Sequence, residues 1–154
     1  MNILVTGGTG FVGKPLVESL LARGDSITVL TRSIEKAQAV FPEKTPKFLT
    51  ALSTLKDLNE FDAVINLAGE PIFDKRWTVQ QKEKLRNSRI NLTQQLVQLI
   101  NQSEYPPALI SGSAIGIYGN CGEDVITEYT NPSTQFTAQA PVASPTARTL
   151  PRSR

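Results

Sequence analysis

The chain contains no histidine and only one cysteine, one methionine and one tryptophan among its 154 residues. Without histidine there can be no Ser-His-Asp triad and no histidine-containing zinc site. A lone Cys121 cannot close an internal disulfide, so a reducing cytoplasm is the expected location. With no imidazole to activate it, Cys121 reads as a small loop residue rather than a reactive thiol. No apolar run approaches the roughly 20 residues that span a bilayer, so no membrane partner is expected. The first apolar segment starts at Ile3, leaving no basic region or cleavage site of a secretory signal ahead of it. Excess charge is also scarce. The formal net charge is +2, and discounting Arg148, Arg152 and Arg154, in a stretch without acids, leaves −1. No basic face with interleaved aromatics is evident, so nucleic acid is not an expected partner.

What is present begins at the N-terminus. The apolar run Ile3-Leu4-Val5 leads directly into Thr6-Gly7-Gly8-Thr9-Gly10-Phe11-Val12-Gly13. This pattern predicts a strand, a glycine-rich turn and a helix. Glycines at 7, 10 and 13 allow a sharp bend, close approach of backbone to a pyrophosphate, and tight packing of the helix on its strand. The first amides of that helix, at its positive dipole end, would then face the anion. The helix is expected over 11–23, with Phe11, Val12, Leu16, Val17, Leu20 and Leu21 towards one side and Gly24 as its stop. Pro15 falls in the first turn, where a missing N–H costs little.

Strand-like and helical runs then alternate. A second strand is expected over Ser26–Thr31, a polar helix over Ile34–Val40 and a short strand over Lys47–Thr50. A short helix is expected near Leu55–Asn59 and a buried strand over Ala63–Leu67. Thr78 is a candidate N-cap for a long helix to about Asn101, with Leu85, Leu92, Leu96, Leu99 and Ile100 on its buried side. Pro106-Pro107 ends that region and Ala108–Ser111 begins another strand. The β-α-β rhythm predicts an α/β fold, a doubly wound parallel sheet with helices on both faces. Beyond Tyr129 the rhythm fails. Asn131–Thr134 reads as a turn, and Ala140–Arg154, with three prolines and no aromatic, reads as disordered. Its arginines leave a basic tail for an anionic surface as the other reading.

At the end of the second strand an NAD-type site usually offers an acid to the adenosine ribose. Here Arg32 and Ser33 occupy that place. Both suit a ribose 2′-phosphate through charge-assisted hydrogen bonds, so NADP is favoured over NAD, with a solvated arginine as the plain alternative.

Taken with these features, Asn66-Leu67-Ala68-Gly69, Gly69-Glu70-Pro71-Ile72, Ser88-Arg89-Ile90 and Ser111-Gly112-Ser113-Ala114-Ile115-Gly116-Ile117-Tyr118-Gly119 resemble the NAD-dependent epimerase/dehydratase superfamily. The chain is similar to its extended and atypical short-chain dehydrogenase/reductases, and to a branch of bacterial epimerase-family proteins of unknown substrate. The likeness covers about residues 1–138, expected to form the NAD(P)-binding domain, and leaves 139–154 as a tail. It implies that Gly7, Thr9, Gly10, Phe11, Val12 and Gly13 form the cofactor turn, with the three glycines at the pyrophosphate. It implies that Arg32 and Ser33 lie at the adenosine ribose, and that Leu67, Ala68 and Gly69 line the adenine and ribose wall. Ser113 matches a substrate-orienting serine.

Departures from that pattern carry as much information. The superfamily's Tyr-x-x-x-Lys pair is missing: Tyr105, Tyr118 and Tyr129 lack a lysine four residues on, and Lys84 is the last lysine. Arg89 stands where many relatives place an active-site asparagine; it either binds a substrate carboxylate or phosphate or solvates a helix face. The acidic residues Glu123, Asp124 and Glu128 read as an exposed loop, and no metal site is expected. Relatives of this type are about twice as long, so the resemblance implies a Rossmann-type doubly wound sheet that is incomplete at its C-terminal side. The abrupt change in composition where the likeness ends motivates the hypothesis of a truncated product whose last residues, from Ala140, come from a shifted reading frame. An uncovered sheet edge would then promote self-association. Three readings follow: an NADP-binding reductase- or epimerase-like protein whose full-length relatives move a hydride on a carbonyl or sugar-nucleotide substrate, a non-catalytic dinucleotide-sensing module, or an inactive fragment.

Overall fold

The computed structural model describes residues 1–42, 45–71, 76, 78–113 and 115–131. Motif residues Ile72 and Ala114, the turn beyond Asn131 and the tail from Ala140 lie outside the described residues. The chain runs β1 (Asn2–Thr6), α1 (Gly13–Ala22), β2 (Ser26–Leu30), α2 (Ile34–Val40), β3 (Lys47–Leu49), β4 (Ala63–Asn66), α3 (Val79–Gln102) and β5 (Ala108–Ser111). The five strands form one sheet in the order β3-β2-β1-β4-β5, and every neighbouring pair is parallel.

Alternation along the strands divides the core between two faces. Ile3, Val5, Ile27, Val29, Ala63 and Ile65 pack with Val17 and Leu20 of α1 and with Phe41. Leu4 and Val64 point the other way, onto Leu96 and Leu99 of α3 and onto Leu52, Leu58 and Phe61. Because both faces are covered, the central strands read as uninterrupted apolar runs. Each fully buried aliphatic side chain contributes about 1.5–3 kcal/mol. The sheet is less protected at β5, where Ile110 remains 57% exposed. Among the described residues no helix is long and apolar enough to cross a membrane.

Three local expectations need correction. The first helix begins at Gly13 rather than residue 11, and Phe11 and Val12 are 99% and 61% exposed rather than packed with Val17 and Leu20. The chain first reverses between Gly7 and Gly10, and the first helical bond that follows runs from the Lys14 amide to the Gly10 carbonyl, 2.9 Å. Secondly, residues 55–59 are not helical; a single 3-10 turn occupies Leu52–Thr54 instead. Side chains take the amides that a helix would need: Leu58 N donates to Ser103 Oγ at 2.8 Å and Asn59 N to Asp57 Oδ1 at 2.9 Å. Thirdly, β2, β3 and β4 each stop one residue earlier than expected, at Leu30, Leu49 and Asn66. The stop of α1 is as expected: Gly24 has φ +92°, and its amide donates to the Leu21 carbonyl.

Candidate functional site

From β1 the chain turns towards β2 on one side, whereas β4 lies on the other side of β1. Loops leaving β1 and β4 therefore diverge, opening a crevice at the carboxyl ends of these strands, where open α/β sheets bind ligands. The glycine turn and residues 67–70 form its two sides.

The glycines of the turn have different tasks. Gly7 has φ +70°, and a side chain there would meet the backbone of Leu67 and Ala68 at 2.7 Å. Gly13 is buried, and its missing Cβ would collide with the Gly7 carbonyl. Both are therefore demanded by the fold. Gly8 is also buried, with a Cβ position 3.0 Å from a Val29 methyl. At a Gly10 Cβ the nearest atom would be the Gly7 carbonyl oxygen at 3.2 Å, and among the described residues, chain neighbours aside, no other atom lies within 4 Å. Gly10 is thus the glycine whose open side faces outward, where a ligand can approach. Thr9 beside it is exposed.

The start of α1 is left open. Val12 at its N-cap offers no side-chain bond, and its first turn has no acid. Among the described residues the amides of Phe11, Val12 and Gly13 have no hydrogen-bond acceptor. By contrast Ser33 caps α2 and Thr78 caps α3. Free amides, the helix dipole and the outward side of Gly10 converge on one spot and suit an anion such as a pyrophosphate.

Beneath the turn lies a polar cluster that the sequence reading missed. Thr6, Asn66 and Ser111 stand in register at the ends of β1, β4 and β5. Thr6 Oγ1 donates to Asn66 Oδ1 at 2.7 Å and accepts from the Ala68 amide at 3.2 Å. Asn66 Nδ2 donates to Thr93 Oγ1 of α3 at 3.1 Å and to Ser111 Oγ at 3.3 Å. Such buried groups are tolerated because their partners are present. An available signal was Asn66 at the end of an otherwise apolar strand, with Thr93 inside the leucine stripe of α3.

Residue Glu70 is held by α3 at several points. Its amide donates to Ser88 Oγ at 3.0 Å, and its carboxylate lies 3.4 Å from Lys84 Nζ. Its carbonyl accepts from Arg89 Nη2 at 3.2 Å, while Nη1 reaches the Leu85 carbonyl at 3.2 Å. Arg89 is half-buried; burial lowers its pKa from the ordinary arginine value and the Glu70 charge opposes that shift. Of the two uses expected for Arg89, solvating a helix face does not describe this arrangement.

The remaining expected residues are dispersed. Arg32 is exposed at the end of β2, and the Ser33 hydroxyl accepts from the Lys36 amide at 3.4 Å. Thr31 Oγ1 accepts from the Ser33 amide at 3.2 Å and braces that bend. Leu67 and Ala68 are half-buried and Gly69 is exposed, on the β4 side of the crevice. Ser113 is exposed just beyond β5, Tyr118 is half-buried, and Cys121 Sγ donates to the Tyr118 carbonyl at 3.3 Å. No lysine joins them: Lys84, the last in the chain, is paired with Glu70.

Comparison with known proteins agrees with this geometry. The model of the NAD dependent epimerase/dehydratase family matches residues 3–143. The chloroplastic epimerase family protein SDR39U1 homolog of Arabidopsis thaliana is 42% identical over 134 residues, covering 83% of this chain and 38% of that protein. Epimerase family protein YfhF of Bacillus subtilis is 39% identical over 133 residues, covering 83% of this chain and 42% of the relative. Among solved structures, human epimerase family protein SDR39U1 (isoform 2), crystallised with NADPH, superposes with a TM-score of 0.77 at 28% identity. That match covers 93% of this chain and 47% of the human one. The chain thus spans about two-fifths of the length of these two curated relatives.

Proposed function

Since this chain belongs to the NAD-dependent epimerase/dehydratase family, we propose that it binds a nicotinamide dinucleotide across the crevice between β1 and β4, with NADP preferred to NAD. The observation that carries this reading is the open start of α1 above an outward-facing Gly10. In it, the amides of Phe11, Val12 and Gly13 hold the pyrophosphate, with Thr9 at the edge of the turn. Arg32 supplies charge for a ribose 2′-phosphate, beside Ser33 on the braced bend after β2, and Leu67, Ala68 and Gly69 wall the adenine and ribose. Human SDR39U1, crystallised with NADPH, supports the cofactor preference.

A bound nicotinamide would supply hydride chemistry at its C4, and a carbonyl or sugar-nucleotide carbon is the proposed target in full-length relatives. Ser113 would orient a substrate oxygen by hydrogen bonding. A second reading, a non-catalytic dinucleotide-sensing module, is favoured by the missing Tyr-x-x-x-Lys pair. Calorimetric titration with NADPH and NADH, followed by NADPH fluorescence against a panel of carbonyl compounds, separates the readings. Tighter NADH binding would overturn the preference, and binding without turnover would favour the sensing module. Among the described residues β5 is an edge strand with Ile110 exposed, which supports self-association that light scattering would show as a dimer; a monodisperse monomer would refute it.

A further inference from the structure

Gly69 is not placed like the other glycines of this crevice. It is exposed, its φ lies outside the left-handed region, and it belongs to no tight turn. The space for a side chain is nevertheless taken: a Cβ at Gly69 would lie 2.6 Å from Arg89 Cζ and 2.8 Å from Arg89 Nη2. A side chain at this position would therefore displace the guanidinium of Arg89 lying against it, rather than strain the backbone. The same guanidinium donates to the Glu70 carbonyl, while Ser88 receives the Glu70 amide. On the opposite side, Ala68 donates to Thr6 Oγ1 and the Leu67–Ala68 backbone abuts Gly7. Residues 67–70 are thus clamped between β1 and α3, and Arg89 provides the α3 side.

We propose that Arg89 is a positioning residue for the dinucleotide, its guanidinium packed on Gly69 and bonded to Glu70 to hold the chain leaving β4 as the wall against the adenosine half. This rests on the cofactor reading given above. Arg89 acts through the loop and is already engaged by two carbonyls, so it need not touch substrate. An arginine suits the task because its rigid fork reaches Leu85 and Glu70 together, which a single ammonium does not reproduce.

The test uses the full chain with NADPH and, separately, 2′,5′-ADP as a probe of the adenosine half. Arg89→Ala is expected to weaken both ligands by the same factor, about tenfold, the scale of a lost charge-assisted hydrogen bond. Low concentrations of guanidinium should restore much of that loss, and Arg89→Lys should recover only part of it. Gly69→Ala should weaken binding in the original background but have little effect beside Arg89→Ala, a coupling that independent sites would not show. Melting temperatures identify any variant that fails to fold; if Arg89→Ala does, Arg89→Lys and Gly69→Ala carry the test. Unchanged 2′,5′-ADP affinity in Arg89→Ala, or equal Gly69→Ala losses in both backgrounds, would overturn the proposal while leaving cofactor binding intact. Failure of the unsubstituted chain to bind NADPH would overturn both.

Discussion

Two helices of this protein begin in opposite ways. At the start of α3, Thr78 Oγ1 accepts from the Gln81 amide at 3.2 Å, so the helix satisfies part of its own end. At the start of α1 no side chain does so; the turn before it is glycine, and its apolar neighbours Phe11 and Val12 face solvent. Closing a helix start is cheap and common, with a good cap contributing about 1 kcal/mol. Leaving one open forgoes that stability, which is reasonable where another molecule supplies the acceptor. The proposed binding site thus coincides with the helix start that omits local stabilisation.

The contrast can be broken most severely inside the turn. Gly13→Val should cost about 3 kcal/mol or more, because the new side chain meets backbone that cannot yield, and thermal melting would show it with binding lost as a consequence. Gly10→Val should lower the melting temperature far less than Gly13→Val, yet weaken NADPH by at least about a hundredfold in calorimetry. Equal melting losses in the two variants would erase the distinction between fold glycines and a ligand glycine.

Val12→Asp sharpens the comparison by giving the start of α1 the acid it lacks. The unliganded protein should gain roughly 0.5 kcal/mol in denaturant unfolding, while NADPH affinity falls about tenfold through repulsion of the phosphates. The opposite signs are the diagnostic. Thr78→Ala should do the reverse, losing about 1 kcal/mol of stability with NADPH affinity retained. The smallest effect is at the far end of α1. Asp25 accepts from the N-terminal ammonium at 2.9 Å and from Arg23 Nε at 2.6 Å, and these bonds, the ammonium first, hold its pKa below the ordinary aspartate value. Its contribution is complete above the unfolded-state pKa and fades as pH falls through the lower folded value. Acid melting curves should therefore converge for the original chain and Asp25→Asn at low pH and separate at neutral pH.

How much of this was legible beforehand depended on whether the reason was local. The glycine turn, the Gly24 stop and the Thr78 cap are chemistry of a few neighbouring residues, and each occurs where its residue type predicts. The parallel pairing of the strands follows from the β-α-β rhythm. Residues 55–59 misled because their amides are taken by Ser103, Asp57 and other partners that no helical pattern announces. Phe11 and Val12 misled because apolar periodicity cannot tell a helix face from a turn awaiting a cover. The Thr6–Asn66–Thr93–Ser111 cluster was invisible since its members, spread from residue 6 to residue 111, meet only after folding. Arg89 was readable as functional in type but ambiguous in role, because one of its partners, Glu70, lies nineteen residues back in a loop.

One contact has a consequence for assembly. Thr6 and Asn66 are sixty positions apart, yet their hydrogen bond, with the abutment of Gly7 on Leu67 and Ala68, completes the floor beneath the open helix end. A growing polypeptide that has released only its first two strands would own every glycine of the turn and still lack a coenzyme pocket. Competence to bind would arrive late, as a non-local event of the whole sheet, so coenzyme uptake in a refolding experiment should lag helix formation and report the docking of the fourth strand.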